Sequence, residues 1–246
     1  MNRRKVQDGA GDSVNLICLP YGGAGAALFD TWQSKLPVGV QVHGLDLPGR
    51  GRRYKEPPID DMAELTEFLY STIRGLIAEP YVIFGHSLGA LCGYHLLKFL
   101  QAREERLPYH YIASGCRPPH LPYAHEGMWR ESDETFLKKV ARFGGTPKEV
   151  IAQPALFNVF SSVLKADFKL ADWLSERPVA PMKDVECTVL YGRRDPIVPV
   201  ECLNEWAGYF ESVSFEMFDG DHFFMTSKAD EVLLAVRRIL THGRWG

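Results

Sequence analysis

No apolar run in this 246-residue chain approaches the ~20 residues needed to cross a bilayer. Met1 to Asp12 is polar and charged with no apolar centre, the composition expected of a disordered lead-in rather than of a signal peptide. Cysteine is scarce and odd in number: Cys18, Cys92, Cys116, Cys187 and Cys202 are widely spread, mostly in apolar contexts, which favours buried free thiols over a disulfide framework. Both observations fit a reducing cytoplasm. Charge of either sign is not in excess. With a net charge of −3 the chain has no general attraction for nucleic acid, and the short basic cluster Arg50, Arg52, Arg53, Lys55 beside Glu56 reads as a solvated loop. There is no P-loop, no H-E-x-x-H and no paired C-x-x-C, so neither a metal nor a nucleotide cofactor is indicated. Internal repeats and low-complexity segments are missing too, which excludes solenoids and repeat arrays.

What is present is enough apolar residue, 46%, for one sizeable core. From residue 13 strand-like and helix-like segments alternate: Val14 to Leu19, Ala26 to Lys35, Val40 to Leu45, Asp61 to Ile77, Tyr81 to Phe84 and a helix over 88–100. Tyr109 to Ser114, Cys187 to Tyr191, Ser212 to Phe218 and a closing helix from Ala229 to Leu240 continue the series. This rhythm predicts an α/β fold, a mainly parallel sheet flanked by helices. Between Ser114 and Val185 the alternation breaks. Asp133 to Phe143, Pro147 to Ala152 and Pro154 to Asp167 read as helices there, so residues 13–246 are expected to form one domain with a helical lid inserted at about 118–180.

The pentapeptide Gly85-His86-Ser87-Leu88-Gly89 directly follows the apolar run Tyr81-Val82-Ile83-Phe84 and directly precedes a helix. A serine on a sharp strand-to-helix turn has its hydroxyl pushed out of the fold, and flanking glycines let backbone pack where a Cβ would clash. Ser87 is therefore a candidate nucleophile. A serine hydroxyl needs a base within hydrogen-bond reach and an acid to orient that base. In α/β-hydrolases the acid and then the histidine follow the serine in the chain. Asp195, in Arg194-Asp195-Pro196, comes after the strand Cys187 to Tyr191; His222, after the turn Asp219-Gly220, comes after the next. Asp184, Asp219 and Asp221 are the rival acids, and Ser114-Gly115-Cys116-Arg117-Pro118 offers none. Seven other histidines compete with His222 without combining its order, turn and strand context; His86, inside the elbow, reads as structural.

An oxyanion needs two backbone donors, one expected at Leu88 where the helix starts. The other should come from the glycine-rich loop Pro20-Tyr21-Gly22-Gly23-Ala24-Gly25, with Gly22 the first choice and Gly23 its neighbouring alternative. The same loop, with Asp46 about twenty residues on, invites a dinucleotide reading. That reading fails because Gly23-Ala24-Gly25-Ala26-Ala27-Leu28 puts leucine where a third small residue must allow close helix packing.

On Leu19-Pro20-Tyr21-Gly22-Gly23, Leu47-Pro48-Gly49-Arg50-Gly51 and the elbow, the chain resembles the stand-alone type II thioesterases that accompany nonribosomal peptide and polyketide synthetases, within the α/β-hydrolase superfamily. Arg117-Pro118-Pro119, Gly144-Gly145-Thr146-Pro147, Leu164-Lys165-Ala166-Asp167-Phe168 and Gly220-Asp221-His222-Phe223-Phe224 extend the resemblance, and the strings around the insertion set it apart from generic esterases. Many members carry alanine-glycine-glycine where this chain has Gly22-Gly23-Ala24. The resemblance implies hydrolysis of mis-loaded acyl or aminoacyl groups from the phosphopantetheine arm of acyl or peptidyl carrier protein domains. The expectation is no cofactor of its own, no nucleic-acid or membrane partner, and a monomer. Met128, Trp129, Phe136, Phe157, Phe160 and Phe168 are candidate chamber residues, although apolar residues at helical spacing are more often core. Arg50 is expected to anchor its loop rather than to touch substrate. A general carboxylesterase or lipase with the same triad, and a non-catalytic acyl or carrier-protein binding module, are the alternatives.

Overall fold

The computed structural model describes residues 13–143, 154–174, 178 and 180–242. The N-terminal tail 1–12, the helix predicted over Pro147 to Ala152 and the Gly144-Gly145-Thr146-Pro147 string lie outside the described residues. Six strands, β1 (Val14–Leu19), β2 (Val40–Gly44), β3 (Tyr81–His86), β4 (His110–Ser114), β5 (Glu186–Gly192) and β6 (Val213–Phe218), form one sheet in the order β2-β1-β3-β4-β5-β6. Every neighbouring pair is parallel.

The unbroken apolar runs become strands buried on both faces, as parallel sheets require. β1, β3 and β4 are buried at every residue, while the edges β2 and β6 are partly exposed. Alternate residues feed two cores. Ile17, Leu19, Ile83 and Tyr111 pack under the helices α1 (Met62–Ile73) and α2 (Leu88–Ala102); Leu16, Cys18, Phe84 and Ile112 face Phe29, Trp32 and the closing helix α5 (Ala229–His242).

Two local expectations need correction. The helix predicted over Ala26 to Lys35 is a 3₁₀ turn, Ala26–Phe29, continued by bonds of the same three-residue step such as Trp32 N–H to the Phe29 carbonyl. Phe29 and Trp32, three apart, both dock edge-on against Phe84, and a three-residue repeat keeps them on one side. Helix α1 is shorter than Asp61 to Ile77: the Asp61 carboxylate caps it through the Ala63 and Glu64 amides, and it stops at Ile73, just before Gly75.

Between β4 and β5 lie α3 (Asp133–Val140) and α4 (Pro154–Ala171). Met128, Phe136, Leu137, Val140 and Leu164 form a small core of their own there, separate from the two that flank the sheet. The chain runs from β1 to β2 on one side, then crosses to β3 on the other side of β1 and continues outward. The crevice at the C-terminal ends of β1 and β3 is thus the topological switch point, where open α/β sheets bind ligands.

Candidate active site

Ser87 sits at that crevice, between β3 and α2, with φ 54° and ψ −117°. A non-glycine residue is rarely held there, and here close packing enforces it. A Cβ on Gly85 would collide with the Gly89 backbone, and one on Gly89 with the Leu19 carbonyl. The two glycines of the pentapeptide are thus needed for the strand, the helix and the Leu19–Pro20 backbone to approach one another around the serine. The Ser87 amide donates to the Ser114 carbonyl at 2.8 Å, which ties the turn to the next strand.

The three residues expected to act together are in one hydrogen-bonded line. His222 Nε2 lies 2.9 Å from Ser87 Oγ, and His222 Nδ1 lies 2.7 Å from Asp195 Oδ2. The other oxygen of Asp195 accepts from the Ile197 and Val198 amides, which fixes the carboxylate plane. With Nδ1–H directed at a carboxylate, Nε2 is left as the acceptor of the serine proton. The Asp195 and His222 side chains are 1% and 5% exposed, so their attraction is little screened by solvent. Of the rival acids, Asp219 pairs with Arg194 at the surface, Asp221 accepts from the Phe223 amide and Asp184 is exposed. His43, His110 and His120 bond to Asn15, Thr188 and Tyr209 instead.

His86 has a specific structural part. Burial, reinforced by the neighbouring His222, holds its imidazole well below the usual histidine range, so it is neutral. Its Nε2 lies 2.9 Å from the His222 carbonyl and must donate there; its Nδ1 therefore accepts from Ser114 Oγ at 2.8 Å. A neutral donor thus holds the backbone of the very residue whose side chain faces Ser87. Gly115, at φ +55°, leaves room for the ring, since a Cβ there would come 2.8 Å from His86 Cε1.

Ser87 and His222 open into a cavity of about 260 Å³. Its floor includes Leu88 and the loop Tyr21 to Ala24; its far wall is one face of α4, with Phe160, Leu164, Asp167, Phe168 and Ala171 at helical spacing. Of the expected chamber residues, Phe160 and Phe168 line it. Met128 and Phe136 belong to the small core above, and Trp129 donates to Asp172. The side chain of Phe157 lies outside the described residues. Cys116 and Arg117 complete the side nearest β4.

A family model described as a thioesterase domain matches residues 14–240. The chain belongs to the thioesterase family. It is an enzyme that hydrolyses thioesters. It is 32% identical to the Brevibacillus parabrevis protein named linear gramicidin dehydrogenase LgrE, over 92% of this chain and 88% of that one. To the gramicidin S biosynthesis protein GrsT of Aneurinibacillus migulanus it is 29% identical, over 89% and 86%. The solved structure of the RedJ thioesterase, from the prodiginine pathway of Streptomyces coelicolor, superposes with a TM-score of 0.83 at 30% identity, covering 96% of both chains. The word dehydrogenase in the first name finds no counterpart in this enzyme's glycine-rich loop. That loop leads into a four-residue 3₁₀ turn, not a long helix whose N-terminus could hold a pyrophosphate.

The thioesterase loop differs from its sequence reading at one arginine. Arg50 does anchor its segment, but the basic cluster is not uniformly solvated: Arg50 is buried, and its two terminal nitrogens lie 2.6 and 2.7 Å from the two oxygens of Asp167 on α4. Asp167 Oδ2 also accepts the Gly23 amide at 2.6 Å. Gly23 is therefore engaged, which leaves Gly22 as the better-placed of the two expected oxyanion donors. The sequence offered no clear signal for this pair, because Asp167 stands between Lys165 and Lys169, two nearer cations than Arg50.

Proposed function

We propose that this enzyme is an editing type II thioesterase, removing acyl or aminoacyl groups from the phosphopantetheine thiol of carrier protein domains in nonribosomal peptide or polyketide synthesis. The observation that carries the reading is the Asp195–His222–Ser87 hydrogen-bonded line opening into an apolar, helix-walled cavity. The names of the relatives, which place them in gramicidin and prodiginine pathways, support the carrier-bound substrate.

In this reading Ser87 Oγ attacks the thioester carbonyl while His222 Nε2 takes its proton, and Asp195 stabilises the imidazolium. The carbonyl oxygen, now negative, is held by the Leu88 and Gly22 amides. Collapse breaks the carbon–sulfur bond; the sulfur leaves with the proton from His222 as the free thiol. A thiol with a pKa near about 8.5 leaves readily, so this step needs less acid assistance than amide cleavage. Water then enters and attacks the acyl carbon while His222 removes one of its protons; the bond to Ser87 Oγ breaks, the proton passes from His222 to Ser87 Oγ, and the carboxylic acid is released. A cavity of about 260 Å³ falls below the range typical of drug-sized ligand pockets, about 300–1,000 Å³, and fits a short acyl group.

The test is release of free acid from an acetyl-loaded or aminoacyl-loaded carrier protein, followed by the carrier's mass. Wild-type enzyme is expected to regenerate the free phosphopantetheine form and Ser87→Ala to leave the load in place. Cleavage of a small ester with no action on the loaded carrier would point to a general esterase instead.

A further inference from the structure

Asp167 lies 117 residues from Arg50 and 144 from Gly23, yet all three meet beside the cavity. The carboxylate is 1% exposed in its side chain and the guanidinium 7%. A two-pronged Arg–carboxylate pair fixes both groups in plane as well as in distance, so Asp167 has little freedom to turn. Its Oδ2, held in that position, takes the Gly23 amide. Gly23 has φ +82°, a conformation that side chains resist, and its missing Cβ leaves room for Leu164 and Phe160 of the same helix. The Asp167 side chain also packs over Gly22, where a Cβ would sit 3.5 Å from Asp167 Cβ. The Tyr21–Ala24 turn, closed by the Ala24 amide on the Tyr21 carbonyl, is thus gripped at Gly23 and covered at Gly22 by one residue of α4.

We propose that Asp167 is a positioning residue: braced by Arg50, it holds the Gly23 amide so that the preceding Gly22 amide points at the developing oxyanion. Helix α4 then both walls the acyl chamber and sets one arm of the oxyanion site. This rests on the serine-hydrolase reading above, in which Gly22 is a donor.

An oxyanion donor acts on the transition state more than on the bound substrate, so its loss lowers kcat and leaves KM nearly unchanged. The test uses acetyl-N-acetylcysteamine as substrate. Rates are expressed per active site, titrated with a serine-directed phosphonate. Two inhibitors accompany it: an alkylboronic acid, which forms a tetrahedral adduct on Ser87, and the amide isostere of the substrate, which stays trigonal. Asp167→Ala should lower kcat roughly 10- to 100-fold with KM and amide affinity within about threefold, and weaken the boronate in step with kcat. Asp167→Asn keeps the volume and one acceptor oxygen contested by Gly23 and Arg50, and should fall between wild type and Ala; it carries the test if the alanine variant does not fold. Arg50→Lys, which keeps charge without the fork, should lower kcat less than Asp167→Ala. Unchanged kcat and boronate affinity per titrated site in both Asp167 variants would overturn the proposal, as would equal losses of boronate and amide binding, the mark of a merely structural residue. Ser87→Ala is run alongside. Full activity in that variant would overturn the serine reading and this proposal together, whereas an inactive Ser87→Ala with unaffected Asp167 variants would overturn this proposal alone.

Discussion

The two sides of the cavity are held by different forces. On the serine side, Ser87, His86, Ser114, Asp195 and His222 are joined by short-range hydrogen bonds between residues in or just after neighbouring strands β3, β4, β5 and β6. On the side of the glycine-rich loop after β1, a buried Arg50–Asp167 ion pair reaches across from α4 and binds the Gly23 amide. The bonds of the first side all join residues in or just after strands of the sheet. The second depends on the insertion being docked. One side of the cavity is thereby built into the sheet, and the other is tied to the helix that walls the cavity.

Substitutions can break that comparison in order of effect. On the scaffold side, Ser87→Ala should lower thioester turnover by about four or more powers of ten without a change in melting temperature beyond a few degrees, read by single-turnover assay and calorimetry. Gly89→Val, which drives side-chain atoms into the Leu19 carbonyl, should prevent recovery of folded protein, or lower its stability by more than about 4 kcal/mol in urea titration, because backbone cannot move aside. On the insertion side, Phe136→Ala removes the fully buried ring of the small core and should cost about 3–5 kcal/mol. If the insertion docks as its own unit, hydrogen exchange in α3 and α4 should quicken before that of β3 and β4.

Acid should affect the scaffold side first. Burial holds His95 and His110 neutral down to about 4, and His86 lower than usual as well. In the unfolded chain each takes a proton near about 6.5. The unfolded state therefore binds more protons between these values, and stability is whole above about pH 6.5 and lost as pH falls toward 4. By pH 5 the loss should be about 2 kcal/mol for each of His95 and His110, measured as urea-unfolding free energy against pH. Neighbouring arginines should differ: Arg50→Ala leaves a buried carboxylate and should cost about 3–5 kcal/mol, whereas Arg52→Ala, which deletes an 84% exposed partner of Asp46, is the smallest effect and should cost under about 1 kcal/mol.

The same division governs what could be read in the sequence. The parallel sheet with flanking helices follows from the alternation of strand-like and helix-like segments, though its strand order does not, and the elbow follows from five contiguous residues whose packing needs are local. Asp195 and His222 were legible because each follows a strand, and strand ends converge in a parallel sheet. The Arg50–Asp167–Gly23 junction was not, because Asp167 has Lys165 and Lys169 as nearer cations in sequence, while its actual partners lie 117 and 144 residues away. His86 was legible as structural, but its hold on the His222 carbonyl depends on a backbone atom, which carries no residue signature. The 3₁₀ turn after β1 was misread for a related reason: Phe29 and Trp32 fit a helical period equally well until their shared partner Phe84 is known.

Cys116, in the chamber wall, has a consequence for acyl traffic. A thioester entering the cavity meets two acceptors in principle, a serine oxygen and a cysteine sulfur, and a free thiolate would take the acyl group by exchange and keep it as a new thioester. Burial pushes the Cys116 thiol up to about 12, with Arg117 only partly opposing it, so near neutral pH roughly one molecule in 10⁵ carries the thiolate. The enzyme can therefore keep a sulfur atom beside its substrate without opening a side branch in which the acyl group is passed from one sulfur to another.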